Sequence, residues 1–150
     1  MIGFRSVALV LALAPAMPRL GRAQQPRPDT ADASKVGRAE TAARRWLALV
    51  DSSKYSASWD SAAAMFRAQV TRAAWQDALV AARLQVNPLG TRTLKGAQLT
   101  RQLPQAPPGE YAVLQYAATG REDRDVVETV VLVLEPDTGW RVAGYFIKPA

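Results

Sequence analysis

The chain has 150 residues, no cysteine and no histidine, and 19 basic against 13 acidic side chains for a formal charge of +6. Without those two residue types, thiol nucleophiles, histidine-based triads and the usual zinc sites are excluded, and no disulfide braces the fold. The length is that of one domain.

The first 23 residues have the layout of a secretory signal: a start carrying Arg5, an apolar run from Ser6 to Met17, and small residues at Gly21 and Ala23 before Gln24. The apolar run is shorter than the roughly 20 residues of a spanning helix, and Pro15 and Pro18 interrupt it. Cleavage after Ala23 removes Arg5, Arg19 and Arg22, so 16 basic residues remain against 13 acidic ones, a net +3. No basic cluster with interleaved aromatics is present, which speaks against nucleic acid as a partner. The expected location is the periplasm or the medium, with no membrane span after cleavage. Residues 24–33 are polar, hold two prolines and read as a flexible linker.

From residue 34 the pattern is helical. Val36, Ala39, Ala43, Trp46, Leu47 and Val50 make one stripe at a 3.6-residue period, with Ser34 the expected N-cap and Asp51-Ser52-Ser53 the break. A second helix is expected over residues 55–68, capped by Ser58, with Trp59, Ala62, Ala63 and Phe66 on one face and Asp60 in the first turn, where the helix dipole favours an acid. A third is expected over residues 71–85, capped by Thr71, with Trp75, Ala78, Leu79, Ala82 and Val86 as its stripe. Asn87-Pro88 ends it.

Beyond Pro88 the texture is that of strands. Residues 89–101 alternate loosely, with Gly96 marking a bend or bulge. Residues 110–119 and 125–135 follow, separated by the charged turn at 120–124. Pro136-Asp137-Thr138-Gly139 is a tight turn, and residues 140–148 close the set. Runs of helices followed by runs of strands predict an α+β fold: three N-terminal helices packed on one face of a curved four-stranded antiparallel sheet.

Several features in order make the chain resemble the exported bacterial proteins catalogued as domain of unknown function 4019. They are Trp46-Leu47, Asp51, Tyr55, Ser58-Trp59, Phe66, Trp75, Arg83, Pro88-Leu89-Gly90 with Arg92, Gly109-Glu110-Tyr111, Glu128-Thr129-Val130, and Trp140-Arg141-Val142-Ala143-Gly144-Tyr145 with Ile147-Lys148. The resemblance covers about residues 39–148. It implies an NTF2-like or cystatin-like fold and transfers no catalytic residue, and a fold of this kind does not choose among functions.

The residues themselves single out Glu128. It shares a strand face with Val130, Leu132 and Leu134, and a carboxylate enclosed by apolar side chains favours its protonated form, which suits an acid or base. The competing expectation is an arginine partner, drawn from Arg83, Arg92 and Arg141. Tyr55, Tyr116 and Tyr145 join Glu128 as expected ligand-binding residues. Trp46, Trp59 and Trp75 are expected in the core and Trp140 at a core corner. There is no Gly-rich phosphate loop, no paired metal carboxylate motif and no nucleophile elbow, so no cofactor or metal is expected. Strand 125–135 is apolar on both faces, which predicts a homodimer through the outer sheet face at Val127, Val131 and Val133. The expected function is an exported, non-catalytic envelope module that binds a small ligand or a partner protein. The alternative is a small lyase or isomerase using Glu128.

Overall fold

The computed structural model describes residues 30–150; the expected signal and most of the linker lie outside the described residues. Four helices precede four strands: α1 Thr30–Asp51, α2 Tyr55–Asp60, α3 Ala64–Gln69, α4 Arg72–Val86, β1 Thr93–Thr100, β2 Tyr111–Thr119, β3 Asp125–Glu135 and β4 Gly139–Pro149. The strands form one antiparallel sheet in the order β1-β2-β3-β4. Among the described residues no helix is long and apolar enough to cross a membrane.

The α+β class and the four-stranded antiparallel sheet are as the sequence predicts, but the second helix is two. Its first half ends at Asp60 and its second begins at Ala64. Three side-by-side groups make the break. The Ser61 hydroxyl donates to Ala57 O at 2.9 Å, competing with the helix ladder. Ala63 is extended, and its N–H leaves the helix to donate to Val142 O of β4 at 2.8 Å. The Glu135 carboxylate then accepts from Ala64 N at 2.8 Å, capping α3 from across the chain. Asp60, expected in a first turn, therefore closes α2 and pairs with Arg72 at 2.5 Å.

Two expected caps also move. α1 begins at Thr30, so Ser34 is inside it and its hydroxyl accepts from Arg38. Residues 30–33, expected in the linker, are helical. Ser58 is a buried mid-helix residue rather than a cap. Thr71 does cap α4, accepting from Ala74 N at 3.2 Å, and Asn87-Pro88 follows the last turn with a cis peptide bond. α1 ends where Ser53 takes a left-handed φ of 56° and Lys54 N–H donates to Leu49 O at 2.8 Å.

α1 lies against all four strands. Its stripe of Ala39, Ala43, Trp46, Leu47 and Val50 is buried, facing Ala112, Leu114, Val130, Leu132, Val142 and Tyr145. Trp75 of α4 and Phe66 of α3 complete an aromatic centre. Trp46 lies 5.9 Å from Trp75 and 5.3 Å from Tyr145, and Phe66 meets Trp75 edge-on at 5.1 Å. Each such pair adds about 1 kcal/mol beyond its burial. Of the four tryptophans, Trp46, Trp75 and Trp140 belong to the core cluster. Trp59 is half-buried, with Arg72 and Arg67 stacked over its ring at 5.0 and 5.9 Å.

On the sheet, the edge strand β1 carries a bulge between Leu94 and Gly96, as Gly96 suggests. Gly139 takes φ 75° at the tight turn before β4. Cross-strand partners share a face. Val127 therefore sits with Ala117 and Lys148, Thr129 with Gln115 and Phe146, and Val131 with Val113 and Gly144, on the face away from α1. Val127 and Val131 are half-buried, and Val133 packs against the core cluster.

Candidate functional site

Among the described residues, Glu128 is at the centre of the one charged cluster enclosed by the fold. It is fully buried, on the face of β3 that carries Val126, Val130 and Leu132, all buried too. Leu134, on the same row, emerges at the strand end, 37% exposed.

Four other elements converge around it. Arg92 arrives from the loop before β1, strapped down where Gly90 N–H donates to Thr119 O at 2.7 Å. Its guanidinium grips Glu128 through Nε on Oε2 and through Nη2 on Oε1 at 3.1 Å. The other side of the same guanidinium takes Asp51, the last residue of α1, at 2.6 and 2.7 Å. Arg83, near the end of α4, donates to Asp51 Oδ1 at 3.0 Å and lies 3.6 Å from Glu128 Oε1. Tyr145 of β4 donates its hydroxyl to Glu128 Oε1 at 2.5 Å. Two carboxylates and two guanidiniums are thus fully matched in charge. Among the three arginines expected as partners, Arg92 and Arg83 are there. Arg141 instead donates to Ser61 O at 3.3 Å, bracing the α2–α3 break.

The electrostatics follow. Burial alone would raise the Asp51 carboxyl, but hydrogen bonds and charge from Arg92 and Arg83 hold it below its ordinary value. Burial works against the Arg92 charge, and its bonds to Asp51 and Glu128 more than restore it. Burial, with the Glu128 carboxylate beside it, pushes the Tyr145 phenol well above its ordinary value.

Tyr116, on β2 directly opposite Glu128, is buried and its hydroxyl has no partner among the described residues. Burial pushes that phenol up to about 12, and the Arg44 guanidinium covers its ring at 5.5 Å. Glu128, Tyr116 and Tyr145 therefore come together on three adjacent strands. Tyr55 does not join them. It lies half-buried on α2, where its carbonyl accepts the Ser58 hydroxyl at 2.7 Å.

Asp51 reads in the sequence as a helix end and as one residue of the family resemblance, with nothing there to pair it with the cluster. Its partners stand 32 and 41 residues away. Ser58 is a second such residue. Its hydroxyl accepts from Trp75 Nε1 at 3.0 Å and its carbonyl accepts from Trp46 Nε1 at 2.8 Å, so one buried serine satisfies the indoles of Trp46 and Trp75.

Beside the cluster is a cleft of about 450 Å³ lined by Asp51, Arg83, Asn87, Pro88 and Leu89. Asp51 is its exposed acid, with its side chain 40% accessible. Among the described residues no group of three potential metal ligands is found.

This geometry defines a small α+β domain whose enclosed acid is neutralised by arginine and sealed from solvent. The chain belongs to the family described as Protein of unknown function (DUF4019), whose profile matches residues 42–145. No curated protein and no solved structure matches it.

Proposed function

We propose that the protein is an exported, non-catalytic module of the bacterial envelope that binds a small ligand or a partner protein. The observation that carries this reading is the state of Glu128. A general acid or base must reach the proton it moves, whereas Glu128 is fully buried with both oxygens bound by Arg92 and one by Tyr145. That favours binding over the lyase or isomerase alternative. The long α1 laid across a four-stranded meander supports the NTF2-like or cystatin-like kinship.

Small-ligand binding is supported by the open cleft beside the cluster. Partner binding is supported by Val80 and Leu84, one turn apart on α4 and 47% and 68% exposed. Self-association through the outer face at Val127 and Val131 is supported by an uncharged centre of Val113, Gln115, Thr129, Gly144 and Phe146.

The test is expression with the native N-terminus in a bacterial host. The expected product is periplasmic, begins at Gln24 and carries a co-purified small molecule or envelope protein, seen by mass spectrometry. A chain retained in the cytoplasm, or one recovered with neither, overturns the reading.

A further inference from the structure

The sheet face turned away from α1 carries a bump and a hollow on one row. The row runs Gly96, Gln115, Thr129 and Phe146 across β1, β2, β3 and β4. Phe146, on the β4 edge, is half-buried and lies outside the core cluster. Its ring leans over the sheet: a Cβ on Gly144 would meet Phe146 Cε2 and Val131 Cβ, both at 3.5 Å. Gly96, on the β1 edge, leaves a gap, since a Cβ there would meet only Gln115 Oε1, at 3.9 Å. Its φ is not positive, so the backbone there does not require glycine. A glycine inside a strand also marks places where another group comes close.

The flanking rows are small or β-branched. Gln98, Val113, Val131 and Gly144 make one, and Thr93, Ala117, Val127 and Lys148 the other. Of the residues paired on these three rows, only Lys148 is charged, at a corner. A bump and a hollow at opposite edges of one row fit each other when the same face is turned over onto itself, the relation of an isologous two-fold contact.

Resting on the self-association reading, we propose that a second copy of this chain covers this face, related by a two-fold axis that runs along the strands between β2 and β3. Such an axis keeps the rows level and exchanges the edges. β1 then faces β4 of the other copy, and β2 faces β3. Phe146 of each copy enters the hollow at Gly96 of the other, Val113 meets Val131, and the Gln115 amide meets the Thr129 hydroxyl. An axis across the strands would instead stack Phe146 on Phe146. It would also turn Lys148 of one β4 toward Arg141 of the other, like charge to like charge. The three rows bury on the order of 500 Å² per copy, the low end for a specific interface, so the dimer is reversible.

Sedimentation of the exported chain over a wide concentration range, up to the millimolar, tests this. The wild type is expected to pass from monomer to dimer. Gly96→Leu fills the hollow and Phe146→Ala removes the bump, and each is expected to weaken the dimer about tenfold or more. Gly96→Phe combined with Phe146→Ala moves the bump to the other edge and is expected to recover the dimer that Phe146→Ala loses. Melting midpoints at low concentration, where every variant is monomeric, report the fold separately. The chain has no cysteine, so introduced thiols report proximity. Chains carrying Gln115→Cys and Thr129→Cys, mixed and oxidised, are expected to form the mixed disulfide faster than either joins to itself. A wild type that stays monomeric removes the proposal together with the self-association reading. A dimer in which Thr129→Cys joins fastest to itself keeps the outer face and overturns this arrangement. A dimer indifferent to both the bump and the hollow variants, with no disulfide between these positions, overturns both.

Discussion

Tyr145, whose cross-strand partner is Val130, reaches diagonally across the β3–β4 pair to Glu128, with their oxygens 2.5 Å apart. The bond runs from a phenol that burial keeps protonated to a carboxylate that two arginines surround. It closes the last free side of an acid that a bare reading of strand β3 marks as reactive. What the bond and its neighbours do is join α1, α4, the loop before β1, β3 and β4 through one charged knot.

Glu128→Gln is therefore expected to destabilise the protein by about 3 kcal/mol, because it leaves Arg92 and Arg83 buried with only Asp51 to balance them. Urea denaturation checks this, and a variant as stable as wild type refutes the structural role. Arg92→Lys should also destabilise, since a point charge does not reproduce a guanidinium that serves two carboxylates.

Ser58→Ala should cost about 1–3 kcal/mol, because the buried Trp75 indole N–H loses its acceptor. The near-ultraviolet circular dichroism, which reports the Trp46–Trp75–Tyr145 centre, should change with it. An unaltered melting temperature would show that water replaces the hydroxyl.

Gly120→Ala tests a close approach. A Cβ there would lie 2.7 Å from Val126 Cγ2 and 2.8 Å from Val86 O. The contact is at the junction where β2 ends against the last turn of α4. Overpacking of this kind typically costs about 1–3 kcal/mol, and thermal unfolding should show it as a lowered midpoint.

Stability should depend on pH at both ends. The Asp51 and Glu135 carboxyls are held below their ordinary values in the fold. Their contribution is complete above the unfolded value of about 4 and is lost as pH falls below it. The Tyr116 and Tyr145 phenols are raised, so stability declines once pH exceeds about 10, where the unfolded phenols ionise. Denaturant midpoints measured from pH 2 to 11 should form a plateau with two falling limbs. Asp51→Asn should shrink the acid limb, and an unchanged limb would remove Asp51 from the account.

Val80→Asp and Leu84→Asp should leave the unfolding free energy within about 0.5 kcal/mol of wild type, since both side chains face solvent. Loss of a co-purified envelope protein in either variant would place its docking on α4. Light scattering at high concentration separately tests the outer sheet face, where a monomeric mass ends the dimer reading.

What was legible in the sequence was whatever depends on near neighbours. The stripes of α1 and α4, the Thr71 cap, the 136–139 turn and the strand β3 all follow from local period or turn chemistry. The break between α2 and α3 was not legible, because it is made by Val142 and Glu135 reaching back from β4 and the end of β3. The alanines at 62 and 63 look helical on their own. The partnership of Glu128 with an arginine was open from charge alone, and Arg92 was among the options. Asp51 was not, since only the folded chain brings the end of α1 beside Arg83 and Arg92.

The bulge at Lys95 bears on the protein's behaviour in a crowded compartment. An edge strand offers unpaired backbone groups to any extended segment nearby. Here an approaching strand meets an offset in the ladder and an ammonium group at the same place. The β1 edge is thereby discouraged from taking on a further strand from a neighbouring molecule. Replacing Lys95 with an apolar, β-forming residue would convert a blunt margin into an adhesive one.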